Sequence, residues 1–180
     1  MSKKERSYFE ARVFDELGFK KEELKINVIF SNQEKNWSGE IDIFKEDKDG
    51  NIEIPVYTID RHVVYYKSPK AEPDKPTLHK VPDDQIFKIV RLKTPEKYYD
   101  KASGEDKMRK YNLPAGSGTY PYFPPYLVAL YENKTPIETL VLTEGYFKAA
   151  KGCKHNIPVV GLSSITHVKE KDTEAMYEDV

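Results

Sequence analysis

The stretch Thr139-Leu-Val-Leu-Thr-Glu144-Gly145 decides the fold, together with Ile157-Pro-Val-Val-Gly161 further along the chain. Both contain short apolar runs, which are typical of strands covered on both faces. Residues 146–151 between them have a helical composition. This order predicts a β-α-β unit with a parallel strand pair and a right-handed crossover. Glu144 would then lie at the carboxyl end of its strand, where open α/β sheets place their sites.

Glu144 and its neighbours are the strongest candidates for chemistry. A carboxylate can hold a divalent cation or move a proton. Gly145 allows a sharp turn and leaves the carboxylate unshielded, and the next helix directs its positive amino end toward the same place. Lys148, one turn later, could meet a phosphate. The alternative is an ordinary strand-to-helix turn in which Glu144 and Lys148 are simply solvated.

The chain before Thr135 follows a different pattern. Apolar residues recur at every second position from Leu24 to Phe30 and again from Ile52 to Val56. Asp47-Lys-Asp-Gly-Asn51, between two such runs, predicts a turn. Further strands are predicted over residues 62–66 and 85–92. Because tight turns join antiparallel neighbours, these runs predict an antiparallel sheet.

An amphipathic helix is predicted ahead of this sheet. Phe9, Val13 and Leu17 recur at every fourth residue and form one apolar stripe. Ser2-Lys-Lys-Glu5 has the form of a capping box, and Gly18 suits a left-handed helix stop. The predicted class is therefore α+β. Residues 1–135 would form the N-terminal helix and an antiparallel β-sheet region, and residues 136–180 would form the β-α-β unit.

Residues 95–131 are rich in tyrosine and in turn formers, and Pro114-Ala-Gly-Ser-Gly118 and Pro124-Pro125 within them predict irregular backbone. The Pro-rich residues 67–82 before them predict an extended loop. Aromatic rings can stack on bases while cations contact phosphates, so this region carries candidate nucleic-acid contacts. The alternative is that these tyrosines pack inside the protein. The candidate contacts are Arg109, Lys110, Tyr111, Tyr122 and Phe123.

Composition limits the function classes. Lys and Arg number 29 and Asp and Glu number 30, so the net charge of -1 supplies no overall basic field for nucleic acid. The single cysteine, Cys153, excludes an internal disulfide and a multi-cysteine zinc site. No stretch approaches the about 18 consecutive apolar residues of a membrane span. With no apolar core behind the charged N-terminus, we expect a cytoplasmic protein without a membrane partner.

Residues 85–165 resemble a toprim-like family of unknown function, found in primase and helicase proteins of plasmids, phages and conjugative elements. Toprim domains open with an apolar strand, a Glu-Gly pair, a helix and a second strand that often ends in Gly. Glu144-Gly145 and Gly161 match these positions. The family also has a Thr-Glu-Gly-x-x-Lys-Ala motif, a Lys-Tyr-x-x-Pro-x-Gly motif and an aromatic-Pro-Pro motif. The corresponding residues are Thr143 to Ala149, Lys110-Tyr-Asn-Leu-Pro114-Ala-Gly116 and Tyr122-Phe-Pro-Pro125.

The resemblance covers somewhat under half of the chain. It implies DNA replication or mobilisation, with Mg²⁺-dependent nucleotidyl transfer or cleavage in the intact protein. It also implies Glu144 as a metal-linked acid or base, and single-stranded or primer-template DNA as the partner. The Asp-x-Asp motif that toprim domains carry downstream is missing, since Asp172-Thr-Glu174 and Glu178-Asp179 stand in a charged tail.

Two interpretations follow from this departure. In the first, the chain is an N-terminal fragment of a longer toprim protein, without firmly bound Mg²⁺ and without catalysis of its own. In the second, it is a natural short chain with a degenerate toprim. A rival hypothesis from another class is a non-enzymatic nucleic-acid- or protein-binding module of a mobile element.

Overall fold

The computed structural model describes residues 6–31, 35–65, 85–101, 103–113 and 120–163. Helices and antiparallel sheets are combined with one parallel strand pair, so the predicted α+β class is confirmed. None of the described helices has the length and apolar character that a membrane span requires. The predicted capping box at Ser2-Lys-Lys-Glu5, the loop over 67–82, residues 114–116 and the charged tail lie outside the described residues.

The N-terminal helix is a π-helix over Glu10–Glu16. Ser7 and Glu10 exchange two hydrogen bonds, because the Glu10 N–H donates to Ser7 Oγ and the Ser7 N–H donates to the Glu10 carboxylate. This reciprocal pair is of the capping-box kind. Gly18 follows the helix with φ of +80°, which confirms the predicted left-handed stop. The predicted stripe is buried, and it consists of Phe9, Val13 and Leu17.

Two antiparallel sheets occupy the middle of the chain. In the first sheet, two strands pair with each other: β1 (Lys25–Ser31) and β2 (Asn36–Asp42). In the second sheet, each strand pairs with the next: β3 (Lys45–Glu46), β4 (Ile52–Pro55), β5 (Lys88–Asp100) and β6 (Glu105–Asn112). The strand predicted over residues 62–66 is wrong in its described part, because residues 62–65 form only isolated bridges.

The irregular backbone predicted at Pro124-Pro125 is also wrong, and that predicted at Pro114-Ala-Gly-Ser-Gly118 lies outside the described residues. β5 continues through Pro95 to Asp100, and β6 returns beside it as a hairpin. Helix α1 (Pro125–Glu132) then begins at Pro125. A proline at the first helical position loses no hydrogen bond, because the first N–H groups of a helix have no intrahelical acceptor. The Pro124-Pro125 pair therefore starts a helix.

The predicted β-α-β unit is present. It consists of β7 (Val141–Glu144), α2 (Tyr146–Lys154) and β8 (Val159–Leu162). β7 and β8 are parallel, with Val141 opposite Val159 and Glu144 opposite Leu162. The prediction of parallel neighbours is thus confirmed.

A cluster of buried side chains extends from the antiparallel sheets into this unit. The Phe44 ring lies 6.3 Å from the Tyr122 ring and 5.3 Å from the Phe147 ring. The backbones of Tyr122 and Gly161 exchange two hydrogen bonds. The predicted boundary between two regions at residue 135 stays a prediction. The Phe44–Phe147 and Tyr122–Gly161 contacts join residues on its two sides.

Candidate functional site

Glu144 is the last residue of β7, and its side chain is exposed. Because β7 and β8 are parallel, the carboxylate lies at the carboxyl edge of the pair. Gly145 follows with φ of +105°, a conformation that side chains with a Cβ rarely adopt. The Gly145 N–H donates to the Leu162 carbonyl at 2.8 Å. The position predicted for Glu144 is therefore confirmed, while its chemical role stays a prediction.

The amino end of α2 lies beside this carboxylate. Its first turn holds no acidic side chain, and no side chain caps it. Lys148 is exposed in the same turn, and its Cδ lies 3.9 Å from the point that a Cβ on Gly145 would occupy. The lysine stem thus lies over Gly145, close to the edge that Glu144 occupies. Partial positive charge at the helix end and an ammonium group accompany the carboxylate.

The fit of Mg²⁺ to this edge is incomplete. Among the described residues, no group of three His, Cys, Asp or Glu side chains is arranged to hold a metal ion. Mg²⁺ demands octahedral oxygen coordination and is usually bound by carboxylates together with substrate phosphates and water. Glu144 supplies one such ligand. Phosphate oxygens, or residues outside the described ranges, would have to complete the site.

The predicted nucleic-acid contacts are divided between surface and core. Arg109 and Lys110 are exposed on β6, and Arg109 donates to Glu96 through Nε at 2.9 Å and through Nη2 at 2.5 Å. Tyr122 is 2% exposed and Phe123 is 8% exposed. The stacking role predicted for these two rings is therefore corrected, because a base could reach them only if the core opened.

Tyr111 is half-buried between β5 and α2. The Arg91 guanidinium lies 4.8 Å from the centroid of its ring, and the Tyr146 ring meets it edge-on at 5.3 Å. Burial raises the pKa of Tyr111, whereas the charges of Arg91 and Arg12 act to lower it. Both guanidinium groups therefore lie near the phenol. The sequence did not predict these two arginines as neighbours of Tyr111. Arg91 is 20 positions away along the chain and comes to lie opposite Tyr111 through the pairing of β5 with β6.

Tyr57 and Tyr122 place their hydroxyl groups in the core, where neither has a hydrogen-bond partner among the described residues. Burial raises the pKa of both far above the ordinary range, and the nearby Cys153 adds to this effect. Burial also raises the pKa of the Cys153 thiol, whose Sγ donates to the Val159 carbonyl at 3.6 Å. A covered, protonated thiol is a poor nucleophile, so this cluster has a packing role.

A cleft of about 320 Å³ lies between the β1–β2 hairpin and the second sheet. Its rim is charged, but the charges pair with one another. Lys25 lies 2.9 Å from Asp42, and Lys88 lies 3.1 Å from Glu53. The cleft therefore presents no excess of one charge that would select a ligand.

Comparison of the chain with protein-family models, with curated proteins and with solved structures finds no match. The toprim resemblance accordingly rests on the motif residues alone. The geometry contributes two observations of its own: an exposed carboxylate at a parallel sheet edge, and an arginine and tyrosine cluster beside α2.

Proposed function

We propose that this chain is part of a toprim-containing, primase-like protein of DNA replication or mobilisation, in which Glu144 serves phosphoryl-transfer chemistry. One observation carries the proposal. The exposed Glu144 carboxylate ends β7 and is followed by Gly145 with positive φ and by the uncapped amino end of α2. A carboxylate can accept a proton or hold a cation there, while the helix end attracts phosphate.

In this proposal, Glu144 and Lys148 have different roles. When bound, Mg²⁺ would supply charge stabilisation for the phosphate oxygens. Glu144 would act as one ligand or as a proton acceptor, and the Lys148 ammonium would balance negative charge on the phosphate. Since Glu144 is one ligand, the substrate or the rest of the intact protein would provide the other oxygens.

Titration with Mn²⁺ tests the proposal, because this ion is paramagnetic and its binding can be followed directly. The full chain is titrated with and without a single-stranded DNA oligonucleotide. We expect Mn²⁺ binding only when the oligonucleotide supplies phosphate oxygens, and we expect Glu144→Gln to abolish it. Glu138→Gln is the matched control, since Glu138 is also exposed and the charge change is the same. Equal Mn²⁺ binding by the wild type and Glu144→Gln would refute the role of Glu144.

A second candidate function is a non-enzymatic binding module. It is favoured by residues 96–109 of the β5–β6 hairpin, called the arm below, which expose Tyr98, Tyr99 and Met108. The arm has four basic and four acidic residues, so it is electrically balanced and suits a protein partner better than a nucleic acid. Absence of any Mn²⁺ binding, combined with no DNA binding, would favour this function.

A further inference from the structure

Arg91 differs from the other arginines of this chain. The sequence contains five arginines, and all five are described. Four of them form an ion pair with a carboxylate, whereas no described carboxylate pairs with Arg91. The four pairs are Arg6–Asp15, Arg12–Glu16, Arg61–Glu132 and Arg109–Glu96.

The environment of Arg91 makes this difference significant. Its side chain is half-buried on β5, and its Nε is covered and has no hydrogen-bond partner among the described residues. Among the described residues, its guanidinium lies over the Tyr111 ring, 4.8 Å from the ring centroid. A guanidinium cannot be deprotonated in a protein, and a partly desolvated charge without a counter-charge is destabilising. This position therefore favours an anion.

The surroundings favour a phosphate in particular. Arg12 lies near the same phenol, with one nitrogen paired to Glu16 and its Nε buried without a described partner. Two cations beside one phenol suit a group that carries two negative charges. The planar fork of a guanidinium matches two phosphate oxygens at once.

The position of Arg91 in the fold also fits a ligand site. The β5–β6 register shifts immediately after Arg91, between Arg91 and Glu96. Such bulges redirect strands and are over-represented next to active sites. On the other side, the Tyr111 ring contacts Tyr146, which is the first residue of α2 and lies two positions after Glu144. A ligand at Arg91 would thus lie on the side of the molecule that holds the Glu144 edge.

We propose that Arg91 binds a phosphate group of a nucleotide or a nucleic acid, with Tyr111 and Arg12 beside it. The inference goes beyond the proposed function, because it stands on the contacts of Arg91 and needs no metal at Glu144. Free and polymeric phosphate share the recognition chemistry, so the experiment has to distinguish them.

The test measures binding of two probes to the full chain at low salt and without divalent metal. Inorganic pyrophosphate represents free phosphate, and a single-stranded DNA oligonucleotide represents a phosphate backbone. Binding by isothermal calorimetry is compared for the wild type, Arg91→Gln, Arg91→Lys and Arg61→Gln. Arg61→Gln is the matched control, because it removes the same charge from a half-buried arginine already paired with Glu132. Thermal unfolding verifies that each variant folds.

We expect at least one probe to bind, and Arg91→Gln to weaken that binding by about tenfold or more, as loss of a charged hydrogen bond implies. Arg91→Lys should recover part of it, because the charge remains while the fork is lost. Arg61→Gln should change it less than about twofold. Binding of pyrophosphate would identify free phosphate as the source, and binding of the oligonucleotide alone would identify a backbone.

Three results would overturn the inference. The first is that neither probe binds at low salt. The second is that Arg91→Lys and Arg91→Gln both bind as the wild type does. The third is an equal loss in Arg61→Gln, since this would indicate a diffuse charge effect. If Arg91→Gln fails to fold, Arg91→Lys is compared with Arg61→Gln instead, and a twofold or smaller loss in Arg91→Lys then counts against the site.

Discussion

The two halves of β5 show how one strand can be held in two different ways. The inner half, residues 88–92, pairs with β4 and β6 and buries Ile89 completely. The outer half, residues 93–99, is exposed, and from Glu96 onward it pairs with β6 alone. Burial of apolar surface stabilises the inner half, whereas cross-strand charge pairs accompany the outer half. Arg91 lies in the inner half, next to the bulge that separates the buried part of β5 from the exposed part.

The largest expected effect contrasts one substitution in each half of β5. Ile89→Ala should lower the free energy of unfolding by about 3 kcal/mol, because it removes buried apolar contacts and leaves a cavity. Lys97→Ala in the outer half should change it by less than about 0.5 kcal/mol, as exposed substitutions usually do. Urea unfolding monitored by circular dichroism measures both. Similar losses for the two variants would show that the arm contributes to the cooperative core.

The same contrast explains which parts of the fold the sequence predicts. The β-α-β unit is predicted correctly because its apolar runs, Glu144-Gly145 and the helical segment follow one another along the chain. The order of these segments along the sequence is sufficient to predict a unit whose two strands are joined by a single helix. The N-terminal helix follows its apolar stripe for the same reason.

The arm and the arginine site cannot be predicted in this way. Residues 96–109 contain few apolar side chains, so the period-two signal of a half-buried strand is missing. Composition also does not tell a packed aromatic ring from an exposed one, and Tyr122 therefore looked like a stacking residue. The contact of Arg91 with Tyr111 depends on a register interrupted by a bulge, and register is a property of paired strands.

An effect of intermediate size is expected at alkaline pH, where ionisation of a buried tyrosine lowers the stability of the fold and ionisation of an exposed tyrosine in the arm does not. Burial raises the pKa of Tyr146 to about 12, above the value of about 10 in an unfolded chain. The fold therefore favours the protonated phenol. Its contribution is complete below pH about 10, and it is lost as the pH rises through about 12. The full loss is on the order of 2 to 3 kcal/mol.

The substitution Tyr146→Phe tests this expectation, because it keeps the ring and removes the titrating hydroxyl. Urea midpoints measured from neutral to alkaline pH should fall less steeply for Tyr146→Phe than for the wild type. Tyr99→Phe in the arm is the matched control, since that side chain is 63% exposed. An unchanged pH dependence in Tyr146→Phe would mean that the phenol is not protected by the fold.

The smallest expected effect concerns the Arg109–Glu96 ion pair in the arm. Both side chains are exposed, at 44% and 50%, and the arginine donates twice to one carboxylate oxygen. Exposed pairs contribute little, because water screens the charges and two long side chains lose freedom. A double-mutant cycle with Arg109→Ala, Glu96→Ala and the double variant should give a coupling energy of about 0.2–1 kcal/mol. The coupling should fall further as salt is added. A coupling of several kcal/mol would mean that charge pairs hold the outer half of β5 as firmly as burial holds the inner half.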